Sequence, residues 1–366
     1  MTGGQRSGAT LGPPSSAPIV ALLGDINVDV LLDVPALPGP GGDAIASGQR
    51  LELGGSASNT AVALARLGGQ ARMAGLVGAD ALADVALAAL RGERVELTHV
   101  GTDPTSPTSM NIVAITPDGQ RTMLAYRGAN TRLAPDSVTD QFLDGAAALH
   151  LSGYCLLTCP QRDAAWKAVS LARARHVPIT LDIPVAGAER AREETLRLLP
   201  QVSLVVVGED EACLLAQRRE VREAIEVLSR LGRADIALKR GALGSRLVGQ
   251  RGAVAAPAMP VSVLDTTGAG DAFTAGLLHA RTLQLDDMAA LVLGNTLGAL
   301  ATTRMGAGTS LPSSCEVARA LASAWTADPA LAEAAGRAAA ALNPAAEWVT
   351  SRPTSPGRFG GSHAAT

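Results

Sequence analysis

The chain has 366 residues, enough for one large α/β domain or two medium ones, and 47% of them are hydrophobic against 18% charged, which excludes disorder as its general state. Aromatics are only 2%, so the core is built from Ala, Val and Leu, and a formal charge of -3 lacks the basic footprint of a nucleic-acid protein. Cys155, Cys159, Cys213 and Cys315 form no CxxC pair and five histidines are too few for a zinc cluster, so the thiols are expected to be reduced and cytosolic.

In chain order, residues 1–17 are Gly/Ser/Pro-rich without the apolar centre of a signal peptide, and they read as a tail. The run IVALLGDI is too short to span a bilayer and reads as the first buried strand. SASNTAVALARLG follows as a helix capped by Ser58 or Asn59 and stopped at Gly68. ARMAGLVG reads as a strand and ADVALAALRG as a helix. AALHLSGY, PITLDIP, VSLVVVG and DIALKRG are further buried strands, separated by helices at RDAAWKAVSLARARH, AREETLRLL and EVREAIEVLSRLG. DAFTAGLLHARTL is another helix. Short apolar runs alternating with helical segments predict a parallel sheet covered on both faces. The folded domain is expected over 18–324, with an Ala-rich helix and a flexible tail over 325–366.

Two segments break the rhythm. Residues 43–55 and 108–128 alternate apolar with polar residues, and the second contains the turn signal PDGQ. They predict a small sheet standing off the main one, placed to cover a cleft as a lid. A lid strand with an exposed apolar face also suits pairing between subunits in a homodimer.

The chemistry concentrates in LDTTGAGDAF (264–273). Gly268 and Gly270 let the backbone turn sharply into a helix, whose unpaired N–H groups and positive dipole end favour an anion. The chain contains no GxxxxGK[ST] loop, and Phe273 stands where a dinucleotide fingerprint needs its third glycine. Taken alone, Asp271 reads equally as the cap of that helix or as a general base beside a bound phosphoryl group.

DTTGAGDAFTAGLL closely resembles the C-terminal signature of the ribokinase-like (PfkB) family of carbohydrate kinases, and GGSASNTAVALARLG resembles its N-terminal signature. GDINVD, GQRTMLAYRGAN, ALKRGALGS and TRMGAGTSLP match further segments in the family's order. The resemblance implies a three-layer α/β/α sandwich with a small β-sheet lid, transferring the γ-phosphoryl of ATP to a hydroxyl, usually a primary one, in the cytoplasm. It implies Asp271 as the base and the amides of Gly268, Ala269 and Gly270 as the anion hole. It places Asn27, Asp29, Gly54, Gly55 and Asn59 at the sugar, although Asp29 and Asn59 also suit simple caps. Lys239, Gly241, Gly244 and Asn295 fall on the ATP side, where Lys239 either meets phosphate or ends its strand in solvent. Asp265, Thr267, Gly306 and Ser310 match the surroundings of a K⁺ site, a candidate only, since such ligands are largely backbone carbonyls.

Two positions depart from the family. Its NxxE motif, tied to Mg²⁺, keeps Glu211 but has Gly208 for the asparagine, and Asp84 replaces a glycine after VGAD. Substrate identity stays open between a sugar such as ribose or fructose, a nucleoside or pseudouridine, and a keto-deoxy sugar acid held through Tyr126 and Arg127. A non-catalytic sugar- or nucleotide-binding regulator is the reading of a different class.

Overall fold

A computed structural model describes residues 17–342; the remainder of both expected tails lies outside the described residues. Thirteen strands run in chain order: β1 Ile19–Leu23, β2 Asn27–Asp33, β3 Gly48–Gly54, β4 Gln70–Gly78, β5 Glu96–Asp103, β6 Ser109–Ile115, β7 Arg121–Tyr126, β8 Ala146–Ser152, β9 Ile179–Ile183, β10 Leu204–Gly208, β11 Asp235–Lys239, β12 Ser245–Gly249 and β13 Gly252–Ala256. The helices are α1 Ser56–Arg66, α2 Ala81–Gly92, α3 Gln161–Ala174, α4 Val185–Arg190, α5 Arg192–Leu198, α6 Glu209–Ala216, α7 Val221–Leu231, α8 Ala269–Thr282, α9 Asp287–Ala301, α10 Ser314–Ala324 and α11 Pro329–Ala341.

Nine strands form the main sheet in the order β13-β12-β11-β10-β9-β8-β1-β4-β5, parallel except for the antiparallel hairpin β12-β13 at one edge. Side chains alternate across a strand, so β1 sends Val20 and Leu22 to one face and Ala21 and Leu23 to the other, all fully buried. Leu277 and Leu293 of α8 and α9 join the first face, Ala168 and Leu215 of α3 and α6 the second. Helices on both faces explain the near-continuous apolar strands. This is the expected three-layer sandwich.

β3-β2-β6-β7 form a separate four-stranded sheet. The hairpin at PDGQ closes as expected, with Thr116 and Gln120 bonded and Gly119 at φ 80. IVALLGDI, however, is not one strand. β1 stops at Leu23, because a Cβ on Gly24 would lie 2.6 Å from that of Ala57, and the chain leaves the main sheet there. Asn27 and Asp29 therefore sit on the first strand of the lid, opposite Gly54 and Glu52 of β3.

Helix α1 begins at Ser56, after Gly55 at φ 96, so neither Ser58 nor Asn59 is its cap. Both lie inside the helix with other partners, whereas the stop at Gly68 holds, with φ 91. Asp84 is exposed in the first turn of α2, where a carboxylate suits the dipole and no buried packing is disturbed. The Ala-rich C-terminal helix α11 forms and packs on α9 and α10, burying Ala334, Ala335 and Ala338 in the core cluster of the first face.

Candidate active site

The carboxyl ends of the central parallel strands, the start of α8 and the underside of the lid meet around Asp271. Gly268 caps α8 in the left-handed region at φ 73, and a Cβ there would stand 2.7 Å from that of Ala307. The turn this creates leaves the N–H groups of Gly268, Gly270 and Asp271 without partners among the described residues. Ala269 differs from the expectation: its N–H turns back to the Thr266 carbonyl at 3.3 Å, as the tight turn before a helix requires. The free donors are those of Gly268, Gly270 and Asp271.

Asp271 itself accepts from Ser56 Oγ at 2.7 Å and from Asn59 Nδ2 at 2.8 Å, both on α1. Burial pushes its pKa up to about 6, with Asp182 adding to the rise and the Asn59, Ser56 and Lys239 contacts opposing it. Asn59 Oδ1 meanwhile accepts from the Gly308 N–H at 3.1 Å. The amide expected at the sugar thus fixes the carboxylate of Asp271 and the loop behind it.

Lys239 ends β11 beside the turn, its Nζ 3.4 Å from where a Cβ on Gly270 would be and 2.8 Å from Asp182 Oδ1. Burial alone would lower its pKa, but Asp182, Asp271 and Glu211 outweigh that and raise it, so the ammonium stays charged. From here a cavity of about 520 Å³ opens away from the lid. Gly241, Gly244 and Asn295 line it, joined by Met259, Val261 and Phe273, which form an apolar wall. Asn295 spends its amide hydrogens on the carbonyls of Ala256 and Pro257, at 3.1 and 2.8 Å, and so holds the rim of the cavity.

On the other side of Asp271, Asp29 is buried under the lid. It accepts from Asn111 Nδ2 at 2.7 Å, and burial raises its pKa against that bond. Gly54 must be glycine, since a Cβ would fall 2.2 Å from Asp29 Oδ1. Asn27 Oδ1 accepts from Asn130 Nδ2 at 2.7 Å, which leaves the Asn27 amide hydrogens available as donors among the described residues. Arg127 is committed to a buried ion pair with Asp25 at 2.9 Å and also donates to Gln161 and to the Tyr154 carbonyl. Its Nη2 and Nε are taken up by these acceptors, while Nη1 has a 3.4 Å contact with the Thr158 hydroxyl.

Gly208 lies against a carboxylate of its own helix. Glu211, one turn along α6, folds back so that a Cβ on Gly208 would lie 2.0 Å from its Oε2. The carboxylate fills the space a side chain at 208 would need, and Glu209 pairs with Arg240 at 2.8 Å. The K⁺ candidates do come together, yet around a carboxylate already supplied with hydrogens. Asp265 accepts from Thr267 N (2.8 Å), Thr267 Oγ1 (2.7 Å) and Gly306 N (2.8 Å), and pairs with Arg121 of the lid at 2.6 Å. Ser310 donates its N–H to the Ala307 carbonyl. This arrangement does not fit a K⁺ on the Asp265 carboxylate.

Residues that sequence reasoning missed are Ser56, Asn111, Asp182 and Arg121. Asn111 is signalled by its inward place in an alternating lid strand, while Ser56 and Arg121 lie within GGSASNTAVALARLG and GQRTMLAYRGAN without standing out there.

The family model for pfkB family carbohydrate kinases matches residues 18–314. Fructokinase-1 of Zea mays is 31% identical over 281 residues, covering 72% of this chain and 86% of the maize protein. The fructokinase of Salmonella typhimurium is 30% identical over 309 residues, covering 80% and 96%. Arabidopsis thaliana ribokinase complexed with ribose and ATP superposes with a TM-score of 0.73 at 24% identity, covering 83% of this chain and 98% of that one, a likeness of fold. The two family signatures fall on α1 and on the start of α8, the elements that converge at Asp271, and the chain belongs to the pfkB family of carbohydrate kinases as an ATP-dependent sugar kinase.

Proposed function

We propose that the chain transfers the γ-phosphoryl of ATP to a primary hydroxyl of a small sugar, fructose or ribose being the leading candidates, with Asp271 as general base. The observation that carries this reading is the position of Asp271. Its carboxylate is held by Ser56 and Asn59 at the start of a helix with free N–H groups, between an apolar cavity and the buried Asp29.

In this reading the cavity takes the nucleotide and Asp29, Asn27 and the backbone at Gly54 and Gly55 take sugar hydroxyls. Asp271 accepts the proton of the attacking hydroxyl, whose oxygen bonds to the γ-phosphorus as the bond to the bridging oxygen of ADP breaks. The amides of Gly268, Gly270 and Asp271, with the Lys239 ammonium, meet the charge on the transferring group. Glu211, with Asp182 beside the Lys239 ammonium, would hold Mg²⁺ through water, and the ion would neutralise triphosphate charge. The ion pair of Arg127 with Asp25 supports a neutral sugar over a sugar-acid carboxylate as the ligand. Four free cysteines suit a cytoplasmic enzyme, and no helix among the described residues is long and apolar enough to cross a membrane. Edge strand β7 exposes Met123, Leu124 and Tyr126, which supports a homodimer through the lid.

ATP consumption across a panel of sugars and nucleosides tests the reading, with turnover expected on fructose or ribose. Binding of ATP without turnover on any of them would leave the regulatory reading instead. Asp29→Ala should raise the KM for sugar by about 10–10²-fold, the worth of a charge-assisted hydrogen bond. The KM for ATP should hardly change, because Asp29 does not border the nucleotide cavity.

A further inference from the structure

We propose that Arg121, carried by the lid, supplies from within the chain the positive charge that a monovalent cation would bring to Asp265, and so ties lid position to the shape of the anion-binding turn. The proposal rests on the reading of residues 266–271 as the phosphate site. Asp265 is nearly sealed, with its side chain 3% exposed, and it organises the turn: Oδ1 bonds the backbone and hydroxyl of Thr267, and Oδ2 bonds the N–H of Gly306. Gly268, next in the chain, is the left-handed residue that frees the amides. A sealed carboxylate at the foot of an anion site needs a countercharge, or its field opposes the anion.

Among the described residues, Arg121 is the basic side chain ion-paired with Asp265. Its Nη1 is 2.6 Å from Oδ1, and its Nη2 reaches Thr266 Oγ1 at 3.4 Å. Glu52 of β3 brings a second carboxylate close by, against Gly306, 2.1 Å from where a Cβ would be, and burial raises its pKa with Arg50 opposing and Asp265 adding to the rise. Arg121 opens β7 and pairs with Ile115 of β6, while β6 also pairs with β2, the strand that bears Asn27 and Asp29. One small sheet therefore carries the sugar-binding side chains and, at the far end of its hairpin, the guanidinium that grips the phosphate turn. The fork of an arginine suits this grip, since it bonds Asp265 and Thr266 together where a spherical ion would need a shell of oxygen lone pairs.

The test uses the full chain and its Arg121→Gln and Arg121→Lys variants. Binding of a non-hydrolysable ATP analogue is measured by calorimetry in KCl and in tetramethylammonium chloride at equal ionic strength, with turnover beside it. The wild-type enzyme should bind equally in both salts. Arg121→Gln should lose about tenfold in affinity in tetramethylammonium and recover most of it in KCl. Arg121→Lys, which keeps the charge but not the fork, should be indifferent to the salt, with an affinity between that of wild type and that of the glutamine variant in tetramethylammonium. Wild-type affinity that itself rises about tenfold with K⁺ would overturn the proposal, as would an Arg121→Gln variant indifferent to the salt. The wild-type comparison decides even if the glutamine variant does not fold. Because analogue binding needs no acceptor sugar, it also stands apart from failure of the sugar-kinase assignment, which only the turnover panel reads.

Discussion

Asp271→Asn is expected to lower kcat by about 10²–10⁴-fold, the usual worth of a positioned general base, while sugar and nucleotide affinity stay close to wild type. Asparagine keeps the size of the side chain and one acceptor for Ser56 or Asn59, so the start of α8 and the 306–308 loop behind it stay in place. What disappears is the ability to take a proton. The pH profile separates this from a structural effect. Burial, reinforced by Asp182, raises the carboxylate to about 6, so the base is ionised only above that value. Wild-type kcat/KM should therefore climb with pH through about 6 and level off roughly a unit above it, and the residual activity of the variant should lack that limb. Stability carries the opposite sign. A raised folded-state pKa contributes stability fully below the unfolded value and loses it as pH rises through about 6. Asp271→Asn should then be no less stable than wild type at pH 8, measured by thermal unfolding. Loss of substrate binding together with a lowered Tm would make Asp271 a structural cap.

Gly268→Ala should reduce kcat by roughly 10²–10³-fold, the cost of misplacing an oxyanion-hole donor, although it adds only a methyl group. At φ 73 an alanine carries about 1–2 kcal/mol of left-handed strain, and its Cβ would meet that of Ala307 at 2.7 Å. Ala307 stands between Gly306, which donates to Asp265, and Gly308, which donates to Asn59. The displacement therefore reaches the turn, the Arg121 grip and the partner of the base together. Steady-state kinetics should show the loss in kcat with sugar binding retained, because Asp29 and Asn27 belong to the lid. A change in kcat below about threefold would show that phosphoryl transfer does not depend on this backbone conformation.

Much of the architecture was legible in the residues because its signals are local. Short Val- and Leu-rich runs between amphipathic helices announce a covered parallel sheet, and alternation with a PDGQ turn announces a second, half-exposed one. GAGD before an apolar run announces a helix start free to hold an anion. The break between β1 and β2 was not legible, because it depends on Gly24 meeting Ala57, a contact made only when α1 packs against the strand. Helix α6 was concealed by GEDE, a charged run that caps one helix turn as readily as it ends a strand. The expected cap role of Ser58 and Asn59 failed for a related reason, since Gly55 at φ 96 starts the helix without a side chain.

By itself the sequence determined the fold class, the second small sheet, Asp271 as the candidate base and the order of the two signatures along the chain. Each of these follows from residue type and spacing within a dozen positions. Tertiary structure alone decided what surrounds the base. Ser56 and Asn59 reach Asp271 from 215 and 212 positions away, Lys239 is held by an Asp182 on another strand, and Arg121 crosses from the lid to Asp265. No local propensity encodes such contacts. They arise when parallel strands end on one edge of the sheet and a second sheet folds over that edge, and burial there raises the pKa of the Asp271 carboxylate well above the ordinary range.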